Sequence, residues 1–214
     1  MEGKKTQVFG IGMTGLVGSR LVELLSDRYE FHNLSIESGV DITKPRTLSR
    51  LEDDTEHHFV LLLAAKTDVD GCEKDRTLGE KGAAWQINVQ GTKNVVEACR
   101  KDNKKLLYVS TDFVFDGEKE VGESYLEEDK ALPINWYGET KLQGEVVVKN
   151  SGLDHTILRL AYPYRTPFAE KKDMVQALLT RLKEGQKITA VTDHVMTPTF
   201  VDDFAECIHI LMNT

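Results

Sequence analysis

The chain has 214 residues, of which 40% are hydrophobic and 29% charged, a balance typical of a globular protein with enough apolar material for one core. Its formal net charge of −8 argues against a protein that binds nucleic acid or an anionic membrane surface. The longest apolar run, at residues 59–65, is too short to cross a bilayer, and the N-terminus does not resemble a signal peptide. We therefore expect a soluble, cytoplasmic protein.

The cysteines also indicate a reducing compartment. Cys72, Cys99 and Cys207 are far apart and form no C-x-x-C pair, so we expect free thiols that are buried as small apolar side chains. No metal site is expected, because His57 and His58 are adjacent and would face opposite sides of a strand.

A short apolar run at residues 6–11 predicts a buried strand, and residues 19–27 have the apolar spacing of a helix. Between them stand three glycines at intervals of three: Gly12, Gly15 and Gly18. This order is typical of a dinucleotide site, where glycines allow a tight turn and let the pyrophosphate approach the helix N-terminus. Gly10 permits a second alignment of the motif, and the alternative interpretation is a turn that binds no nucleotide.

The second strand is predicted at residues 31–36. Glu37 follows it, about 20 residues beyond the glycines, where an acidic side chain would bind the ribose and favour NAD. A third strand is predicted at residues 59–65, because a continuous apolar run suits a parallel strand buried on both faces. Residues 66–70 should then form a loop at the edge of the sheet where ligands bind.

One long helix is predicted at residues 78–100, and it carries Asn88, a polar residue that needs partners if it is buried. A fourth strand at residues 105–109 leads to Thr111, which should lie at the same ligand-binding edge. Four further elements follow the next helix: a strand at 155–160, a helix at about 173–183, a short strand near Ile188 and a helix at 201–212.

Helical spacing after Pro133 places Tyr137 and Lys141 at positions i and i+4, so both side chains emerge on one face of a helix. A phenol is a poor acid or base at neutral pH, but an ammonium beside it favours the phenolate. The pair is suited to acid–base catalysis, although such pairs also occur by chance on helix surfaces.

With these motifs in this order, the chain resembles the extended short-chain dehydrogenase/reductase superfamily. Four segments are most similar to its dTDP-4-dehydrorhamnose reductase group: residues 88–94, 110–117, 137–145 and 198–203. The resemblance implies an α/β fold, a Rossmann-type doubly wound parallel sheet with helices on both faces and a reduced C-terminal substrate region. It also implies a single NAD(P)-binding domain over residues 1–214, with small substrate-region elements at about 162–200.

The resemblance implies an NAD(P)-dependent reductase of a nucleotide-sugar keto group, with NADPH or NADH as cofactor. Tyr137 would protonate the keto oxygen, Lys141 would lower the pKa of Tyr137 and bind the nicotinamide ribose, and Thr111 would hydrogen-bond the same oxygen. Asn88 would help to order a proton relay. Cofactor contacts are implied for Gly12, Thr14, Gly15, Leu16, Val17, Gly18, Glu37, Asp41, Ile42, Ala64, Ala65, Lys66, Tyr137, Lys141 and Tyr162.

Three features depart from the group. Ile11 stands where the superfamily usually has Thr, Arg165 stands where the group usually has Gly, and full-length members continue well beyond residue 203. Two alternatives therefore stay open: a non-catalytic NAD(P)-binding regulatory subunit, and an NAD-dependent sugar epimerase- or dehydratase-like enzyme. The substrate would be a nucleotide sugar or a similar small carbonyl compound, and a homodimer through helices 78–100 and 136–151 is a habit of the superfamily.

Overall fold

The strands of the computed structural model, which describes residues 5–52, 58–165, 168 and 172–213, form one parallel sheet in the order β2-β1-β3-β4-β5. They are β1 (Thr6–Ile11), β2 (Tyr29–Leu34), β3 (Phe59–Leu62), β4 (Lys105–Thr111) and β5 (His155–Leu160). The winding reverses between β1 and β3, and in doubly wound sheets the crevice at such a point binds ligands.

Helices follow most of the strands. The α-helices are α1 (Leu16–Leu25), α2 (Ser49–Glu52), α3 (Val69–Asp75), α4 (Ala83–Trp85), α5 (Thr92–Arg100), α6 (Trp136–Lys149), α7 (Met174–Lys183) and α8 (Val201–Leu211). A π-helical segment, Gln86–Gly91, joins α4 to α5.

Both faces of the sheet are covered, as the alternation of side chains along β3 shows. Val60 and Leu62 belong to a core cluster that includes residues of α5 and α6. Leu61 belongs to the opposite cluster, with residues of α1 and α8. Successive residues of a strand point to opposite faces, so a continuous apolar strand can serve two layers of helices. The predicted α/β, doubly wound Rossmann-type fold is confirmed.

The C-terminal helix is held against the glycine-turn helix by a bidentate ion pair. Arg20 of α1 donates to both carboxylate oxygens of Asp202 in α8, at 2.7 and 2.6 Å. Just before α8, Thr199 donates its backbone N–H to Ala161 at 2.8 Å and accepts from Tyr164 at 3.0 Å. The chain therefore returns to the end of β5 after α7.

Two predicted elements differ at their start. The helix predicted at 78–100 begins at Ala83, because Gly79 has a non-helical backbone (φ 53°, ψ −130°) that separates it from the preceding 3-10 turn. The loop predicted at 66–70 contains the first residues of α3, since the Asp68 side chain caps that helix by accepting from Gly71 N–H at 3.1 Å.

The predicted strand boundaries also need correction. β3 ends at Leu62, because the N–H groups of Leu63 and Ala64 both donate to Ile11 O at 2.9 Å and break the ladder. β2 runs two residues earlier than predicted, from Tyr29. The strand predicted near Ile188 is absent from residues 172–213, where that segment has no regular structure.

Three remaining expectations concern sites and location. His57 lies outside the described residues, and within the described part of the chain no three His, Cys, Asp or Glu side chains gather as a metal site would require. The described helices include none that is long and apolar enough to cross a membrane. Cys72 and Cys99 are buried free thiols, but Cys207 is exposed, so the expectation of burial is wrong for that residue.

Candidate active site

A cavity of about 550 Å³ opens at the carboxyl ends of β1, β3 and β4. The predicted site residues that line it are Gly12, Thr14, Gly15, Leu16, Val17, Gly18, Ala64, Ala65, Thr111, Tyr137, Lys141 and Tyr162. Another cavity, of about 440 Å³, lies beside Lys5 and Tyr29 at the opposite end of the sheet, away from all of these residues. The chemistry suggested by the sequence therefore belongs to the first cavity.

The three glycines of the turn after β1 have different structural needs. Gly12 has a positive φ of 91°, and a Cβ there would lie 2.8 Å from Ala64 N. A Cβ on Gly18 would lie 2.5 Å from Met13 Cα, so α1 could not pack against the turn. At Gly15 the nearest atom would be Gly12 O at 3.5 Å, an ordinary contact. The packing of the protein requires glycine at positions 12 and 18, whereas Gly15, which lines the cavity, has space for a Cβ. In a dinucleotide site, glycine there lets the pyrophosphate approach the backbone.

Tyr137 is brought to the end of β4 by the first turn of α6. The Asn135 side chain caps the helix by accepting from Gly138 N–H at 2.8 Å. A Cβ on Gly138 would lie 2.1 Å from Phe113 O, so glycine allows this close approach. Tyr137 is 8% exposed and packs edge-on against the Phe113 ring, with centroids 5.7 Å apart. Burial raises the pKa of Tyr137 to about 12, although a hydrogen bond with Thr111 opposes the shift.

Lys141 is buried one turn further along α6. Its ammonium donates to Val109 O at 2.8 Å and lies 4.2 Å from the centre of the Tyr108 ring. Burial lowers the pKa of Lys141 to about 7, and the charge of Glu145 only partly opposes this. Desolvation dominates the pKa of both residues, and the ammonium donates to a strand carbonyl, so the lowering of the Tyr137 pKa by Lys141 stays a prediction.

Replacing Lys141 with Met should stabilise the protein near neutral pH. Below pH 7 the buried ammonium carries its full desolvation cost, which shrinks as pH rises from the folded pKa of about 7 toward the unfolded value near 10.5. We expect the free energy of unfolding to rise by ~1–2 kcal/mol at pH 6 and the gain to diminish at pH 9. Urea titrations at both pH values measure this.

The matched control is Lys149→Met, on the same helix but with 52% of its side chain exposed, which should change stability by less than ~0.5 kcal/mol. A Lys141→Met variant that is less stable than wild type at pH 6 would show that the ammonium is not desolvated as the structure has it.

Asn88 joins the loop after β3 to α6. It is 1% exposed, accepts from Lys66 N–H at 2.8 Å, and donates to Lys66 O at 3.1 Å and to Thr140 Oγ1 at 3.0 Å. Both amide hydrogens are engaged by the protein, so the side chain holds Lys66 and the Tyr137 helix in place. It lies behind the cavity wall, and its role in a proton relay stays a prediction.

The predicted adenosine-side residues do not line the cavity. β2 ends at Leu34, and the residue after it is Ser35; Glu37 follows in an exposed 3-10 turn. Hydrogen bonds from Ser35 and from its own backbone lower the pKa of the Glu37 carboxyl, so it carries its charge at neutral pH. Asp41 accepts from Thr43, and Ile42 is buried. Their contacts with adenosine stay predictions, as does that of Lys66.

Further residues line the cavity. Thr67 and Val69 belong to the loop that was predicted at the ligand-binding edge, residues 66–70. Ser110 and Phe113, around the end of β4, were not singled out but follow from the same strand-end rule. Lys172, Asp173 and Met174 at the start of α7 could not be found in this way, because no strand ends near them. Tyr162 was predicted, and its φ of 41°, rare for a non-glycine residue, suits a functional position.

Arg165 stands where the dTDP-4-dehydrorhamnose reductase group usually has glycine. Its side chain connects the segment after β5 to α1. Its guanidinium donates to Leu16 O at 3.3 Å, to Ser19 Oγ at 2.8 Å and to both carboxylate oxygens of Glu23 at 2.6 and 2.8 Å. The side chain is only 3% exposed. Arg165 therefore links the segment after β5 to α1.

Comparison with known proteins places this geometry in a wider group. The family model described as RmlD substrate binding domain matches residues 6–214. The chain is 30% identical over 195 residues to a dTDP-4-dehydrorhamnose reductase of Burkholderia thailandensis, covering 91% of this chain and 62% of that protein. It is 31% identical over 212 residues to a reductase of the same name from Mycobacterium tuberculosis, covering 97% and 66%. The chain thus spans less than two thirds of these relatives.

Solved structures give the same result. The crystal structure of dTDP-4-dehydrorhamnose reductase from Bacillus anthracis, in complex with NADP, matches with a TM-score of 0.87 and 31% identity. That match covers 100% of this chain and 73% of the other. The arrangement of strands, glycine turn and helices is therefore shared with a protein that binds a dinucleotide.

Proposed function

The chain belongs to the RmlD substrate binding domain family, and from that membership we propose that it reduces the keto group of a nucleotide sugar with NADPH or NADH. The observation that carries the proposal is one cavity that contains both the glycine turn and the three side chains Thr111, Tyr137 and Lys141. A dTDP-4-keto-6-deoxy sugar is the proposed substrate, since the relatives at about 30% identity are dTDP-4-dehydrorhamnose reductases.

Tyr137 acts as the proton donor to the keto oxygen. Reduction needs the protonated phenol, and burial keeps the pKa of Tyr137 at about 12, so the acid form is present at neutral pH. The bound cofactor supplies the hydride. The Thr111 hydroxyl lies beside the phenol and donates to Asp112 Oδ1 at 3.1 Å; with the substrate bound it rotates to donate a second hydrogen bond to the keto oxygen, where negative charge develops.

Lys141 stabilises the phenolate that remains after proton transfer. With a pKa of about 7 it takes up a proton readily when an anion forms on the same helix face, one turn away. Its ammonium has three donors, and one is used by Val109 O, which leaves others for the nicotinamide ribose. The Phe113 and Tyr162 rings, 5.8 Å apart, form an apolar wall that limits water near the reacting carbon.

The glycine turn fits the proposed cofactor, and two alanine substitutions test this. Gly15→Ala should leave the melting temperature unchanged but weaken dinucleotide binding by at least about tenfold, because the new methyl group occupies the cavity side of the turn. Gly18→Ala should instead destabilise the fold by ~1–3 kcal/mol, because its methyl group meets the backbone of Met13. Thermal unfolding and cofactor titration of both variants measure these effects.

The two variants control for each other. If Gly15→Ala lowers stability as much as Gly18→Ala does, the space at Gly15 serves packing rather than a ligand. If Gly15→Ala binds the dinucleotide as tightly as wild type, the pyrophosphate lies elsewhere.

The deciding experiment titrates NADH and NADPH with and without a dTDP-4-keto-6-deoxy sugar. Both tryptophans, Trp85 and Trp136, stack 5.9 Å apart, and Trp136 precedes Tyr137, so their fluorescence reports binding next to the site. Oxidation of the cofactor only when the sugar is present would support the reductase and identify the preferred dinucleotide. Binding of the cofactor without oxidation, and with no conversion of the sugar, would favour the non-catalytic regulatory subunit. Conversion of the sugar with no net oxidation or reduction of the cofactor would favour the epimerase-like alternative.

Two further expectations belong to the same proposal. A cytoplasmic location is supported by three free thiols, two of them buried, as expected in a reducing compartment. A homodimer through α5 and α6 stays a prediction, and light scattering of the purified protein tests it.

A further inference from the structure

Lys172 lines the same cavity as the glycine turn. Among the described residues that line the cavity, three are acidic or basic: Lys141, Lys172 and Asp173. Lys141 is buried and donates to Val109 O. Asp173 is 4% exposed and committed to the protein, because it accepts from the backbone N–H groups of Arg165 at 3.1 Å and Gln176 at 2.8 Å. Lys172 is therefore the exposed cation of this wall.

The position of Lys172 is fixed by its neighbours. Asp173 caps α7 and accepts a hydrogen bond from Arg165 N–H, and the Arg165 side chain donates to Leu16 O and to Glu23 of α1. These contacts connect the residue after Lys172 to α1, whose N-terminus follows Gly15. The exposed Lys172 ammonium donates to the hydroxyl of the partly buried Thr180 at 3.2 Å. A backbone fixed by its neighbours and an exposed cation suit a residue that binds an anion.

We propose that Lys172 binds the pyrophosphate of the dinucleotide in this cavity, together with Gly15 and the N-terminus of α1. The inference rests on the proposed function, which supplies the dinucleotide. A protein with a net charge of −8 repels an anionic ligand, so a local cation is needed where two phosphate charges must settle. The helix N-terminus supplies N–H donors, and the lysine supplies the charge.

The test measures the dissociation constant of NADH, whose only phosphates are those of the pyrophosphate, at low and high salt. If wild type binds only NADPH, the same series uses NADPH. Lys172→Met should weaken binding about tenfold at low salt, the loss expected for one charge-assisted hydrogen bond. Because salt screens an exposed pair, the two proteins should converge as NaCl is raised. Lys172→Arg should retain most of the affinity.

The matched control is Lys183→Met, at the exposed C-terminal end of α7 and outside the cavity wall, which should bind like wild type at every salt concentration. Equal affinity of wild type and Lys172→Met at low salt would overturn the inference, and so would a loss that is independent of salt, since that indicates a structural role. If wild type binds neither dinucleotide, the proposed function fails instead.

Discussion

Tyr137→Phe should lower the turnover number by about 10²–10⁴-fold while the dissociation constant of the dinucleotide changes by less than about twofold. Phenylalanine keeps the ring that packs against Phe113 at a centroid distance of 5.7 Å but removes the only proton that the phenol can give to the keto oxygen. Because the buried ring and its packing are retained, the variant should fold normally. Steady-state kinetics with the sugar, combined with tryptophan-quenching titrations of the cofactor, measure the two effects separately.

The matched control is Tyr164→Phe. Tyr164 stacks on Phe200 with centroids 5.3 Å apart and does not line the cavity, so loss of its hydroxyl should leave both quantities unchanged. Turnover by Tyr137→Phe within tenfold of wild type would mean that another group protonates the substrate. A parallel loss of cofactor affinity would mean that the variant disturbs the site rather than the proton transfer.

The sequence predicts this site well where the relevant contacts are local. The Tyr137 and Lys141 spacing places both side chains on one face of α6 without any tertiary information, and the glycine spacing identifies the turn after β1. Strand identity was also recoverable, because β1 and β5 are short, bounded apolar runs whose predicted limits match the structure.

What the sequence could not supply depends on distant contacts. The pKa of Lys141 follows from burial under Tyr108 and Val109, which its helix alone does not reveal. Lys172 reaches the cavity because hydrogen bonds of Asp173 with Arg165, and of Arg165 with α1, hold the start of α7 in place. No local sequence pattern predicts these contacts. The extra strand predicted near Ile188 failed for the converse reason: the β-like pattern there finds no neighbouring strand to pair with among residues 172–213.

Arg159→Met should cost about 3–5 kcal/mol of unfolding free energy at pH 7, the largest stability effect we expect. Arg159 of β5 makes a bidentate ion pair with Glu145 of α6, with N–O distances of 2.8 and 2.7 Å. The Glu145 side chain is 0% exposed, so removing its partner leaves a buried carboxylate whose one remaining ion pair among the described residues is with Lys149, 3.5 Å away and half exposed. Methionine retains much of the packing volume, so the loss reports the charge. Urea unfolding followed by circular dichroism measures it.

The pH dependence distinguishes a lost ion pair from lost packing. In wild type, burial raises the pKa of Glu145, but the hydrogen bonds of Arg159 and Ser110 and the charges of Arg159 and Lys149 together outweigh burial and the net pKa is lowered. The pair therefore stabilises the fold above the unfolded pKa, and this contribution is lost on acidification. In Arg159→Met burial acts without the hydrogen bonds and charge of Arg159, so the pKa rises above the unfolded value and protonation relieves the penalty. The difference between the two proteins should therefore shrink as pH falls from 7 toward 4.

Two controls complete the argument for this pair. The double variant Glu145→Met/Arg159→Met should be more stable than Arg159→Met alone, because no uncompensated charge remains. Arg76→Met breaks an ion pair with Glu73 whose side chains are 52% and 44% exposed, and should cost less than about 1 kcal/mol. A cost for Arg159→Met that stays constant from pH 7 to pH 4 would contradict the buried charge and reduce the role of Arg159 to its stacking on Phe115, where its guanidinium lies 4.9 Å from the ring centre.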